Sequence, residues 1–120
     1  MSGYVSWVLD LELLDGKDAE FRELMAEMVA ATKADEPGTL AYEWSLDESG
    51  KVCSIYERYV DSDAVMVHMA SFGANYAKRF LSVFKPSRLV VFGSPNAAVK
   101  QALAALSPIY MTQVGGFSRH

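Results

Sequence analysis

The chain has 120 residues, 51 % of them apolar and 22 % charged, with 11 basic against 15 acidic side chains and a formal net charge of −4. That length and composition describe one globular domain able to bury a core without disulfides or a structural metal, and they exclude intrinsic disorder. The bases are scattered, with no run longer than Lys78-Arg79, which excludes the clustered Lys/Arg surface that nucleic acid requires.

Tyr4 to Leu14 alternates, with Val5, Trp7, Leu9, Leu11 and Leu13 on one parity and Ser6, Asp10 and Glu12 on the other. This predicts a half-buried strand, closed by the turn pair Asp15-Gly16. A helix follows from Asp18 to Ala34. Phe21, Leu24, Met25, Met28, Val29 and Thr32 form its apolar stripe, and Pro37-Gly38 stops it. Thr39 to Leu46 and Val52 to Val60 predict an antiparallel hairpin around Asp47-Glu48-Ser49-Gly50. Tyr42 and Trp44 share the apolar face of its first strand.

Asp61-Ser62-Asp63 supplies a cap and first-turn acids for a second helix with Val65, His68, Met69, Phe72, Tyr76 and Phe80 along one stripe. Gly73 is the expected kink or division, and Lys85-Pro86 the expected end. Arg88 to Phe92 predicts a fourth strand. Ser94-Pro95 is read as a cap and first helical position for a short helix with Val99, Ala102, Leu103 and Leu106 inward. Ile109 to Val114 is compatible with a short extra strand before Gly115-Gly116. The order is β-α-β-β-α-β plus a tail: an α+β, ferredoxin-like split βαβ arrangement with an antiparallel sheet. Two helices leave one sheet face bare, so a homodimer through the sheet faces is expected.

Cys53 is the single cysteine, which precludes an internal disulfide and a thiolate zinc site. The histidines are His68 and the terminal His120, too few for a catalytic zinc at readable spacing. No basic leader precedes an apolar run, and no apolar stretch approaches about 18 residues. A cytoplasmic protein with no membrane contact is expected, and its free thiol suits a reducing compartment.

Three groups could carry chemistry. His68 lies on the apolar side of its helix and reads either as a core histidine with one satisfied nitrogen or as a general base in a pocket. Trp7, Tyr42, Trp44, Phe72 and Tyr76 read as core, or as the walls of a cavity for a flat aromatic ligand. Glu57, in mid-strand, belongs on the outer face or is buried with an Arg or a Tyr hydroxyl; a structural ion pair is the preferred reading. Gly-rich nucleotide loops and a Gly-x-Ser-x-Gly elbow are missing from the sequence. Cys53 shows no local sign of activation.

The stretches Glu36-Pro-Gly-Thr-Leu-Ala-Tyr-Glu-Trp44, Ser54-Ile-Tyr-Glu-Arg-Tyr-Val-Asp-Ser62 and Ala64-Val-Met-Val-His-Met69 resemble the antibiotic biosynthesis monooxygenase (ABM) family. Its members show Pro-Gly-x-x-x-Tyr where the strand opens, then an acidic and aromatic stretch, then a helical His about nine residues beyond the aromatic, as Tyr59 and His68 stand here. The likeness covers roughly residues 4 to 95, so 1–95 is expected to be the ABM-like part and 96–120 a helix and tail of the same domain.

The resemblance implies a dimeric α+β barrel with a pocket in each subunit between sheet and helices. It implies oxidation of a quinol or polycyclic phenol by O₂ without metal, flavin or heme, and therefore no cofactor. His68 would be the catalytic proton acceptor. Tyr42, Trp44, Phe72, Tyr76 and Trp7 would be substrate contacts, and Arg58 or Arg79 would steady the anion. The heme-degrading branch has an Asn, a Trp and a ligand His where this chain has Leu9, His68 and Lys78, which argues against that activity. A non-catalytic binder of small aromatics, or a polyketide cyclase or isomerase using His68, are the alternatives.

Overall fold

The computed structural model describes residues 3–119, which leaves Met1, Ser2 and His120 outside the description. Strand β1 (Val5–Leu13) is followed by helix α1 (Asp18–Asp35), the hairpin β2 (Thr39–Leu46) and β3 (Val52–Tyr59), and helices α2 (Ser62–Asn75) and α3 (Ala77–Val83). Strand β4 (Phe84–Gly93), helix α4 (Ala97–Leu103), a 3₁₀ turn (Ala104–Leu106) and β5 (Ile109–Met111) complete the chain. The strand order is β2-β3-β1-β4-β5. β1 is antiparallel to both β3 and β4, as the split βαβ order demands. β5 runs parallel to β4, from Val90↔Ile109 to Phe92↔Met111, so the sheet is mixed rather than wholly antiparallel. The connection through α4 makes this possible, because a parallel neighbour needs a crossover rather than a hairpin.

Val5, Trp7, Leu9 and Leu11 are buried, and Cys53, Ile55, Glu57 and Tyr59 of β3 lie on the same side of the sheet. The stripe Phe21, Leu24 and Met28 of α1 packs into this core together with Val65 of α2. Among the described residues, no helix is long and apolar enough to cross a membrane.

Three local expectations are corrected. The second helical stretch breaks at Tyr76, whose backbone leaves helical geometry (φ −131°), while Gly73 stays inside α2. Lys85-Pro86 does not end a helix but lies within β4. The register between β1 and β4 shifts between Asp10 and Leu11, where Pro86 faces Leu11. Such an irregularity is where a residue without an N–H fits a strand. The cap of α4 is Asn96, whose side chain accepts from the Val99 N–H at 3.0 Å, and not Ser94. For α2 the cap is Asp61, which accepts from the Ala64 N–H at 2.9 Å and satisfies one of the orphan donors of the first turn.

Candidate active site

The site is built where the end of α1, the middle of α2 and the inner face of β2 and β3 meet. Pro37 disfavours helical geometry at Glu36, so α1 stops at Asp35 and Glu36 leaves helical geometry (φ −126°, ψ 76°). Its carboxylate then turns under α2 and is 6 % exposed. The turn must also approach α2 closely. A Cβ on Gly38 would stand 2.7 Å from the Ala64 Cβ, one helical turn before His68. Neither atom is the far end of a flexible side chain. Gly38→Ala is therefore expected to push the turn off α2, at a cost of about 1–3 kcal/mol. It should also lengthen the contact between Glu36 and His68, read as a lower urea midpoint and a changed imidazole ¹⁵N spectrum.

His68 is 5 % exposed, and a carboxylate oxygen lies near each ring nitrogen. Nδ1 lies 2.8 Å from Glu36 Oε1, and Nε2 lies 3.3 Å from Glu57 Oε1. Glu36 Oε1 also accepts from the Thr39 hydroxyl at 3.2 Å, and Glu57 Oε1 accepts from the Tyr59 hydroxyl. The rings of Tyr42 and Tyr59 flank the imidazole at 5.3 and 5.5 Å between centroids, and Trp7 backs Tyr59 at 5.0 Å. The two carboxylates stand at opposite edges of the imidazole, so they cannot converge on one ion. Among the described residues no group of three His, Cys, Asp or Glu is placed to hold a metal.

Burial dominates the electrostatics. It pushes the Glu57 carboxyl above the usual carboxylate range, against the opposing pull of His68, Tyr59 and Trp7. The hydroxyls of Tyr59 and Tyr42 are raised first by burial, with the Glu57 carboxyl adding to the rise when it is ionised, so both remain neutral. Burial pushes the Cys53 thiol up to about 11, consistent with an inert core residue.

A cavity of about 220 Å³ opens beside this cluster. Trp7, Tyr42, Glu57, His68, Met69 and Phe72 form one end, and Leu89, Ala102, Leu103 and Leu106 the other. Its walls are otherwise apolar. A dry apolar cavity of ~150 Å³ holds one benzene, so this one admits a substituted ring or a fused pair. Trp7, Tyr42, Phe72 and His68 thus come together. Trp44 does not line the cavity; its ring packs against Phe21, Phe80 and Phe84 at 6.0–6.2 Å. Tyr76 is likewise absent from the lining. Arg58 stacks over the Tyr4 ring at 4.3 Å, and Arg79 pairs with Glu27 at 2.6 and 3.1 Å on the surface. Neither arginine lines the cavity. Glu36 was not legible as a site residue, although the proline that turns it inward was. The C-terminal wall carried only the apolar spacing of Val99, Ala102, Leu103 and Leu106 as a signal.

Residues 7–81 match the sequence profile of the family described as antibiotic biosynthesis monooxygenase. No protein of curated function matches. Among solved structures, MupZ from Pseudomonas fluorescens is similar at TM-score 0.85 and 21 % identity, over 99 % of this chain and 91 % of its own. A candidate antibiotic biosynthesis monooxygenase from Caulobacter crescentus is similar at TM-score 0.61 and 26 % identity, over 75 % and 86 % of the two chains. SnoaB, a cofactor-independent oxygenase from Streptomyces nogalater, is similar at TM-score 0.65 and 19 % identity, over 80 % and 97 %.

Proposed function

The chain belongs to the antibiotic biosynthesis monooxygenase family, and from that premise we propose that it is a cofactor-independent monooxygenase oxidising a quinol or phenolic ring system with O₂. The observation that carries this reading is the composition of the cavity. It is an apolar, ring-sized space with a single polar end, where His68, Glu57 and Tyr42 meet. A hydroxyarene entering it places its hydroxyl at that end, because no other part of the wall can replace the lost water.

His68 is the proposed general base. Loss of the hydroxyl proton leaves an electron-rich anion able to pass one electron to O₂, and the walls keep water from the radical pair. For a 1,4-dihydroxyarene the balance is arene plus O₂ to hydroxyquinone plus water. One oxygen atom enters a ring carbon and the substrate supplies all four electrons. The neutral Tyr42 hydroxyl is available as a donor to the anion, the part for which Arg58 and Arg79 stand too far outside. The cavity suits one or two rings, and a larger polycycle would extend past Leu106.

A second reading, proton-transfer catalysis without O₂ as in a cyclase or isomerase, is favoured by one specific observation. The imidazole is held between two carboxylates with tyrosine rings on either side, machinery for moving protons in both directions. An oxygen electrode separates the two. With 1,4-dihydroxynaphthalene, uptake above the autoxidation rate with stoichiometric hydroxyquinone supports the oxygenase. Uptake at the autoxidation rate, together with anaerobic rearrangement of an enolisable polyketide analogue, replaces it with the second reading.

Residues 96–120 are taken as part of the same domain, because Leu103 and Leu106 line the cavity. A homodimer through the uncovered sheet face is supported by Phe92, Ile109 and Met111, each more than 40 % exposed at 42, 43 and 45 %. A reducing cytoplasm suits the unpaired Cys53.

A further inference from the structure

We infer that Glu57 is the catalytic residue that meets the ligand hydroxyl and passes its proton to His68, and that Glu36 is the positioning residue that fixes the imidazole for this transfer. The inference rests on the reading of His68 as the terminal proton acceptor and adds the route by which the proton arrives.

His68 and Glu57 both border the cavity. Nδ1 is held by Glu36 at 2.8 Å, and Nε2 faces Glu57 Oε1 at 3.3 Å. A proton delivered to the Glu57 carboxyl is therefore one short step from Nε2. Glu57 is built for this. Its contacts with Tyr59 and His68 are both made by Oε1, and the residue itself lines the cavity.

The step balances as a double transfer. The ligand O–H gives its proton to Glu57 Oε2, the carboxyl proton on the Oε1 side moves to His68 Nε2, and the ligand remains as the oxyanion. The cluster gains one positive charge, placed on an imidazolium whose Nδ1–H already points at the Glu36 carboxylate, as a buried acid steadies an imidazolium in a triad. Burial, which raises the Glu57 carboxyl, is consistent with a group that carries a proton at rest. Glu36 sets the tautomer: with Nδ1–H donated to it, Nε2 is left as the acceptor facing Glu57.

The probe is 4-nitrophenol, one ring with a hydroxyl, colourless when neutral and yellow as the phenolate. It is added to excess protein at mildly acid pH, where the free phenol is colourless. Wild-type protein is expected to bind it as the yellow anion. His68→Gln should bind it colourless. Glu57→Gln should still bind it yellow, because the bound equilibrium does not depend on the route, but should lower the rate of 1,4-dihydroxynaphthalene oxidation at least tenfold, because an amide still accepts from Tyr59 but cannot relay a proton. Glu57→Asp, which keeps a carboxyl but withdraws it from Nε2, should slow the oxidation likewise and stands in should the Gln variant not fold. Glu36→Gln should lower the ionised-to-neutral ratio of the bound phenol about tenfold and move the His68 ¹⁵N resonances away from the Nδ1–H tautomer, a change that packing alone would not produce. Oxidation at the wild-type rate with both Glu57 variants, lost only with His68→Gln, overturns the relay and leaves His68 as the direct base. A colourless wild-type complex overturns the base reading itself.

Discussion

His68→Ala is expected to lower the rate of 1,4-dihydroxynaphthalene oxidation by about 10²–10⁴-fold and to destabilise the protein by about 3–5 kcal/mol. Both effects come from the same atoms. The imidazole lies between Glu36 and Glu57, which are 6 % and 4 % exposed, at 2.8 and 3.3 Å. Removing it leaves two buried carboxyls without their shared partner. Either one takes up a proton or water enters the cavity, and both routes cost folding free energy. A plain core histidine predicts the stability loss alone, so that loss does not by itself identify a catalyst. The discriminating protein is the triple variant Glu36→Gln, His68→Gln, Glu57→Gln, in which no buried charge is left unmatched. Its urea midpoint should recover most of the lost stability while its oxygen uptake stays at the autoxidation rate. Recovery of both would assign His68 to packing and remove the base from the mechanism.

The fold was legible because its elements are amphipathic at the right periods. β1 alternates except at Val8, and its buried residues are the parity expected. Phe21, Leu24, Met28 and Thr32 of α1 are the buried ones of its predicted stripe. What the pattern could not show was long-range placement. Pro86 reads as a helix terminator because nothing local reveals that Leu11 and a register shift will receive it in a strand. The site followed the same division. His68, Tyr42, Trp7 and Phe72 share faces that period alone brings toward the sheet. Glu36 sits after a helix, where its side-chain direction depends on Pro37 and on the tight passage of Gly38 beneath Ala64. Glu57 has the parity of Cys53, Ile55 and Tyr59, which left the outer face and burial both open, and only the tertiary structure turns it inward and supplies the Tyr59 hydroxyl and His68 as its partners. Trp44 shares its strand face with Tyr42, yet it meets Phe21 and Phe84 rather than the cavity, a difference that the alternation along β2 does not encode.

Glu57→Gln is expected to change the sign of its effect on stability with pH. In the folded protein burial raises the Glu57 carboxyl, while the opposing influences of His68, Tyr59 and Trp7 are smaller and Glu36 adds to the rise. In the unfolded chain the same carboxyl ionises in the ordinary range. Between those two points the folded state holds a proton that the unfolded state has released, so stability falls as pH rises through that interval. Below it both states are protonated, and above it the loss is complete. Each tenfold displacement of the ionisation equilibrium contributes about 1.4 kcal/mol to that loss. Glutamine keeps the shape and the acceptor for Tyr59 but has no proton to lose. Urea denaturation of the two proteins across a pH series should therefore give a wild-type midpoint that declines from mildly acid to neutral pH and a variant midpoint without this decline. The variant should be equal or weaker in acid and the more stable protein above neutrality. Parallel curves would show that Glu57 ionises alike in both states. In that case the carboxyl rests as an anion paired with an imidazolium, and the direction of proton flow at the polar end of the cavity is reversed: the cluster would act first as a donor to the ligand, which is what the reaction without O₂ requires.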